Sequence, residues 1–159
     1  MFSYILEYNL NNNYYLLGGK HMLELAAILK AHGLKVTPQR LSIFKMLHQT
    51  KVHPSAETIY QSLQEEHPTM SLATVYKTLD TFVSHGLIQQ LNLGEDSYRY
   101  DADTSRHSHI QCTKCKCVVD LPTLKHVADL RDEVQAFTQF SLSHEQLYFY
   151  GLCPNCKES

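Results

Sequence analysis

Residues 71–101 read SLATVYKTLDTFVSHGLIQQLNLGEDSYRYD, and this stretch decides the fold. Ser71 offers a hydroxyl that can cap a helix start. Behind it Leu72, Val75, Leu79, Phe82 and Val83 recur at helical spacing, so one stripe of a helix is buried, and Gly86 ends it. The period then changes. Leu87 to Leu93 reads as strand, Gly94-Glu95-Asp96 as a turn, and Ser97 to Asp101 as strand again. Helices followed by a hairpin outline a winged helix, the helix-turn-helix variant whose last helix enters a DNA groove.

Three helices are expected upstream. Leu23, Ala26, Ala27 and Leu29 fall at near-helical spacing over residues 22–32, with Gly33 as the stop. Thr37-Pro38 supplies a capping hydroxyl and a proline at the first helical position, and Leu41, Phe44 and Leu47 follow on one face. Pro54-Ser55 opens a third helix through Ala56, Ile59, Tyr60 and Leu63. Residues 1–21 precede this pattern and read as an extension of uncertain role. Residues 22–88 form the DNA-binding unit, with the wing continuing to about 101. A hinge covers residues 89–106. Residues 107–159 form a small α/β unit of two strands around a Cys-rich turn, a helix through Leu124, Val127, Leu130, Val134 and Phe137, and strand again over 140–152. Its strands are few and its helix apolar, so pairing with a second copy completes the core. The fold class is α+β.

Composition narrows the chemistry. No apolar run reaches the roughly 20 residues of a membrane span. Nor is there a secretory leader, so a cytoplasmic location is expected. Net charge is −2, which does not announce nucleic acid. Residues 22–88 carry six Lys/Arg against five Asp/Glu, and residues 89–159 carry seven against ten, so only the first unit can face phosphates. The unusual inventory is ten histidines and five cysteines.

Cys112-Thr-Lys-Cys115 and Cys153-Pro-Asn-Cys156 are two C-x-x-C pairs. Each lets two sulfurs reach one ion from a tight turn, and together they give the closed four-thiolate shell of structural Zn2+. Disulfides would need an oxidising compartment, and a redox motif would need no duplicate. Cys117 reads as a half-buried strand residue without a ligand role. His107 and His109, two apart on a strand, face one side. With Asp101, Asp120 and His53, the last in the loop before the third helix, they suit Fe2+ or Mn2+ at borderline hardness. If His53 joins, that site bridges the two units. Each of these histidines could equally be an ordinary hydrogen-bonded residue. His144 is a candidate for a secondary metal. On the reader helix Ser71, Ala73, Thr74, Tyr76 and Lys77 can meet DNA, and Thr37, Gln39 and Arg40 can meet phosphates at another helix start. Taken alone, such faces are more often merely solvated.

Thr37-Pro38-Gln39-Arg40, His53-Pro54-Ser55-Ala56, Ser71-Leu72-Ala73-Thr74-Val75-Tyr76, His107-x-His109 and the two C-x-x-C pairs together resemble the ferric uptake regulator family over residues 22–156. The resemblance implies a winged helix, a dimerisation unit, and a homodimer repressing from an AT-rich palindromic operator. It is nearest the peroxide-sensing branch, which places its regulatory metal on residues matching His53, Asp101, His107, His109 and Asp120. Iron-sensing members usually carry Glu at the two Asp positions. In the peroxide-sensing branch Fe2+ directs oxidation of the histidines matching His53 and His107, and DNA is released. The alternative is an iron- or manganese-level repressor without peroxide chemistry. A metalloenzyme and a zinc-stapled dimer module are the other readings. No separate nucleophile or general-base motif supports an enzyme. Lys77-Thr78 and Cys117 depart from the branch pattern.

Overall fold

The computed structural model describes residues 18–94, 98–122, 124 and 126–157. Most of the expected N-terminal extension and the Glu95-Asp96 part of the expected wing turn lie outside these residues.

Four helices come first. α1 (Gly18–Ala31) begins upstream of the expected start at Met22. No proline lies between Gly18 and Met22 to stop the helix running back. α2 (Pro38–Gln49), α3 (Ala56–Leu63) and α4 (Leu72–Ser84) start where their caps predict. Thr37 Oγ1 accepts from Arg40 N at 3.3 Å, Ser55 Oγ from Thr58 N at 3.3 Å, and Ser71 Oγ from Thr74 N at 3.2 Å. Each cap satisfies an amide that the helix leaves unpaired.

Leu25, Leu29, Ile43, Phe44, Leu47, Ile59, Val75, Leu79 and Phe82 form the core of this unit. The Phe44 and Phe82 rings lie 5.2 Å apart. On α4 the fully buried residues are Val75, Thr78, Leu79 and Phe82, whereas Leu72 and Val83 only border the core. The wing is short: β1 (Gln89–Leu91) pairs antiparallel with β2 (Arg99–Asp101), Gln89 opposite Asp101. Leu87 and Ile88, expected in the strand, are drawn into the helical core instead.

The second unit is a three-stranded sheet of β3 (Ser108–Cys112), β4 (Val118–Leu121) and β5 (Tyr148–Gly151), with β3 central. β4 is antiparallel to β3, and β5 is parallel to it. α5 (Val127–Thr138) crosses between β4 and β5. The expected strand over 140–152 shrinks to β5, because α5 side chains claim the segment before it. Arg131 donates to Leu142 O at 2.7 Å and pairs with Glu145, and Gln135 Oε1 accepts from Leu142 N at 3.3 Å. A single turn, α6 (Pro154–Lys157), follows Cys153 and carries Cys156 of the second C-x-x-C pair; the sequence pattern gives no sign of it.

The wing and the sheet meet. Leu91 and Leu93 pack with Val118 and Tyr148. Gln146 Nε2 donates to Gln90 O at 3.2 Å, and Tyr150 OH donates to Leu93 O at 3.4 Å. These contacts place the wing strand end against the face of the sheet that carries His109 and Asp120.

Candidate metal centre

His53 occupies the loop between α2 and α3 with φ +49, a left-handed conformation that non-glycine residues adopt rarely. Two long-range links pin this loop to the wing. Tyr100 N donates to Pro54 O at 3.1 Å, and Ser55 bridges to Arg99. His53 is thereby held beside Asp101, at the end of β2. Across β3 and β4, His109 is paired with Asp120. Directly paired residues point to one face of a sheet, so both aim at the wing. His107 lies two residues before His109, just outside β3, and their rings are 4.4 Å apart.

The five side chains converge. His53 Nε2 lies 2.6 Å from Asp120 Oδ1 and 3.5 Å from Asp101 Oδ2. His107 Nε2 lies 3.0 Å from Asp101 Oδ2 and 3.5 Å from Asp120 Oδ1. For His109 Nε2 the same distances are 3.4 and 3.6 Å. One donor atom from each residue lies within 4.8 Å of all the others. Ligands about 2.1 Å from one ion sit roughly 3 to 3.4 Å from each other, so the spacing fits a single divalent ion.

Hydrogen bonding among the five accounts for only part of the arrangement, through His109 Nε2 and Asp101 Oδ2 at 3.4 Å. Both ring nitrogens of His53, Nε2 of His107 and Oδ1 of Asp120 are buried without a hydrogen-bond partner among the described residues. Buried polar atoms are ordinarily satisfied, and here they approach one another without the alignment of hydrogen bonds. The donor set of three imidazoles and two carboxylates is the chemistry of Fe2+, Mn2+ or Zn2+. Burial opposes charge on His53, but Asp101 and Asp120 outweigh it and push the imidazole up to about 9. Burial likewise opposes charge on Asp101, yet His109, His53 and the Asp103 amide hold its carboxyl well below the usual range. Asp120 is lowered too, chiefly by His53 against its own burial. Gln89, which sequence reasoning missed, steadies the Asp101 carboxylate: its Nε2 donates to Asp101 Oδ2 at 3.3 Å. Its only signal was a place opposite Asp101 in the hairpin. Asp103 N donates to Asp101 Oδ1 at 2.9 Å.

The cysteines gather at the far end of β3. Cys115 Sγ and Cys153 Sγ are 3.7 Å apart. Cys112 Sγ accepts from Cys115 N at 3.5 Å and from Cys153 N at 3.4 Å, and these amides pull its thiol down to about 5. Cys156 interacts with Cys153, Cys115 and Cys112. Cys117 differs from its expected place. It is exposed, lies in the turn before β4, and its sulfur falls within 4.8 Å of those of Cys112, Cys115 and Cys153. The left-handed φ of +63 at Lys116 folds the chain back and brings it there. Four sulfurs bound at about 2.3 Å to one tetrahedral ion lie roughly 3.8 Å apart, so this cluster fits zinc.

With both clusters in view, the likeness to known proteins can be weighed. The family model described as the ferric uptake regulator family matches residues 31–150. The chain belongs to the ferric uptake regulator family. A transcriptional regulator, PerR of Clostridium acetobutylicum, is 47% identical over 137 residues, covering 86% of this chain and 99% of that protein. The structure of the Campylobacter jejuni peroxide stress regulator is 33% identical with a TM-score of 0.65, covering 83% of this chain and 98% of that one. The ferric uptake regulator of Francisella tularensis, solved with iron, is 29% identical with a TM-score of 0.68, covering 79% and 96%.

On α4, Ser71, Ala73 and Lys77 are exposed, and Thr74 and Tyr76 are half-buried. Tyr76 OH donates to Glu57 of α3, a partner not anticipated from the sequence. At the start of α2, Gln39 and Arg40 are half-buried, and Arg40 donates to Lys35 O at 3.1 Å. The Thr37 and Ser71 hydroxyls serve as caps. His144 is exposed beside Ser143 and, among the described residues, belongs to neither converging donor group. No helix of the described residues is long and apolar enough to cross a membrane.

Proposed function

We propose that the chain is a cytoplasmic, dimeric, metal-dependent DNA-binding repressor that responds to peroxide through oxidation of histidines at the His53, Asp101, His107, His109 and Asp120 site. The observation that carries this reading is a largely buried cluster of five donors, shared between the wing side and the sheet, in which atoms of His53, His107 and Asp120 have no hydrogen-bond partner among the described residues. The names of the Clostridium and Campylobacter relatives support the peroxide response.

His53 and Asp101 belong to the winged-helix side, and His107, His109 and Asp120 to the sheet side. All five must point inward together, so the site fixes the angle between the two units. Bound there, Fe2+ supplies the one-electron chemistry that turns peroxide into an oxidant of an adjacent imidazole, and Mn2+ holds the same residues without it. The net change is one peroxide oxygen inserted at an imidazole C–H, the other leaving as water. An oxidised His53 or His107 donates poorly, and a site lacking one donor no longer holds the two units in register.

Cys112, Cys115, Cys153 and Cys156 hold structural Zn2+ and tie the end of β3 to α6. The α4 face with Ser71, Ala73, Thr74, Tyr76 and Lys77 enters the major groove of an AT-rich palindrome, and Thr37, Gln39 and Arg40 sit at phosphates. The second copy docks on the apolar row Val119, Ile110 and Phe149, paired across the sheet on the face opposite His109 and Asp120. Leu130, Val134 and Phe137 of α5, all exposed in the single chain, join that surface.

A footprint on an AT-rich palindromic operator tests the proposal. Protection is expected with Fe2+ or Mn2+ and absent with chelator, and peroxide abolishes it for the Fe2+ form alone. Metal-dependent protection that peroxide leaves untouched replaces this reading with an iron- or manganese-level sensor. No metal-dependent protection at all overturns the repressor reading.

A further inference from the structure

The zinc knuckle is surrounded by more thiols than a tetrahedral ion can use. Cys117 Sγ, Cys112 Sγ, Cys115 Sγ and Cys153 Sγ all lie within 4.8 Å of one another. That is already a complete shell, reached without Cys156. We propose that Cys117 is a reserve fourth ligand of this site, closing the zinc shell in place of Cys156; the inference rests on the reading of the cluster as a zinc site.

The fold shows why either thiol reaches. Cys112 and Cys115 are fixed by the knuckle, where Lys116 N donates to Cys112 O at 2.9 Å. Cys112 N donates to Cys117 O at 2.9 Å, so Cys117 is clamped to the base of the same turn. Its place follows from the left-handed backbone of Lys116, not from chance exposure on a long arm. Cys153 is held from the other side by its amide bond to Cys112 Sγ. Cys156 is differently mounted. It sits on α6, a single turn tied by Cys156 N to Cys153 O at 2.9 Å and Lys157 N to Cys153 O at 3.0 Å. Three sulfurs therefore stand on the sheet end as a fixed tripod, and two compete for the last corner. One comes from a rigid turn and one from a terminal helical turn. A site built this way keeps its metal when either of the two competing thiols is lost.

Zinc content of the full chain after exhaustive dialysis against EDTA, read by native mass spectrometry, tests this. One zinc per chain is expected in the parent, in Cys117→Ser and in Cys156→Ser, and none in Cys117→Ser/Cys156→Ser or Cys153→Ser. Loss of zinc from Cys156→Ser as complete as from Cys153→Ser overturns the proposal and leaves the zinc site intact. A parent without zinc overturns both. Because a variant can fail to fold, the zinc-loaded parent is also labelled with N-ethylmaleimide and the modified cysteine mapped. Labelling that reaches Cys156 with zinc retained supports exchange between the two thiols. Labelling of Cys156 that releases the zinc while Cys117 is still unmodified overturns it.

Discussion

Replacing His53 by Asn separates the metal role of this residue from its backbone role. The φ of +49 at His53 suits Asn nearly as well as His, so the substitution adds no backbone strain. It removes an imidazole whose Nε2 is 2.6 Å from Asp120 Oδ1 and 3.5 Å from Asp101 Oδ2. Without metal, that imidazole is a cation between two carboxylates, one of them buried. Breaking a buried pair costs about 3–5 kcal/mol, and about 3 is expected here because Asp120 is half-exposed. A domain stable by about 5–15 kcal/mol remains folded at low temperature. The metal effect is larger. Changes behind the ligands of a metal site already cost about 10- to 100-fold in affinity. As a proposed ligand itself, His53 should cost more, so a loss of at least about 100-fold, about 2.7 kcal/mol, is expected at about 1.36 kcal/mol per decade. Anaerobic titration of Mn2+ against a fluorescent chelator at 10 °C, with circular dichroism to confirm folding, measures it. A folded Asn variant that binds Mn2+ within about threefold of the parent would refute the reasoning, because His53 would then be a core histidine and the site would not bridge the two units.

Other consequences are equally direct. Because Asp101 and Asp120 raise His53 to about 9, its proton must leave when metal binds. Mn2+ affinity should rise with pH, by up to about tenfold per unit between roughly 7 and 9, and level off above; a flat profile would contradict the donor assignment. Lys77→Ala on the exposed face of α4 should weaken operator binding and lower the salt slope by about 2, roughly 1 for each protomer of the dimer, measured by fluorescence anisotropy over a salt series. Val134→Asp places a charge on the exposed apolar face of α5 and should convert the dimer to monomer in light scattering, with the zinc retained.

The two units differ in how much of them could be read from the sequence. Thr37, Ser55 and Ser71 announce their helices because a cap is a local bond to an amide three residues on, needing nothing from the rest of the fold. The pair His107 and His109 is legible for the same reason. The neighbourhood of His53 and Asp101 is not, because it depends on the loop before α3 pairing with the wing through Pro54, Ser55, Arg99 and Tyr100. Residue types alone left their meeting conditional, and the resemblance of motifs joined the two residues. β5 came out shorter than expected because Arg131 and Gln135 bind the segment before it, a competition no periodicity records. Cys117 was misplaced for a related reason: its position turns on one left-handed residue, Lys116, in a run that otherwise reads as strand.

The most direct test of the central claim is mass spectrometry of the Fe2+-loaded chain after brief exposure to peroxide, with the Mn2+-loaded chain as control. One added oxygen on the peptide carrying His53 or His107, in the Fe2+ form only, is the predicted result. Unmodified histidines in the Fe2+ form, with zinc and all cysteines intact, would contradict it.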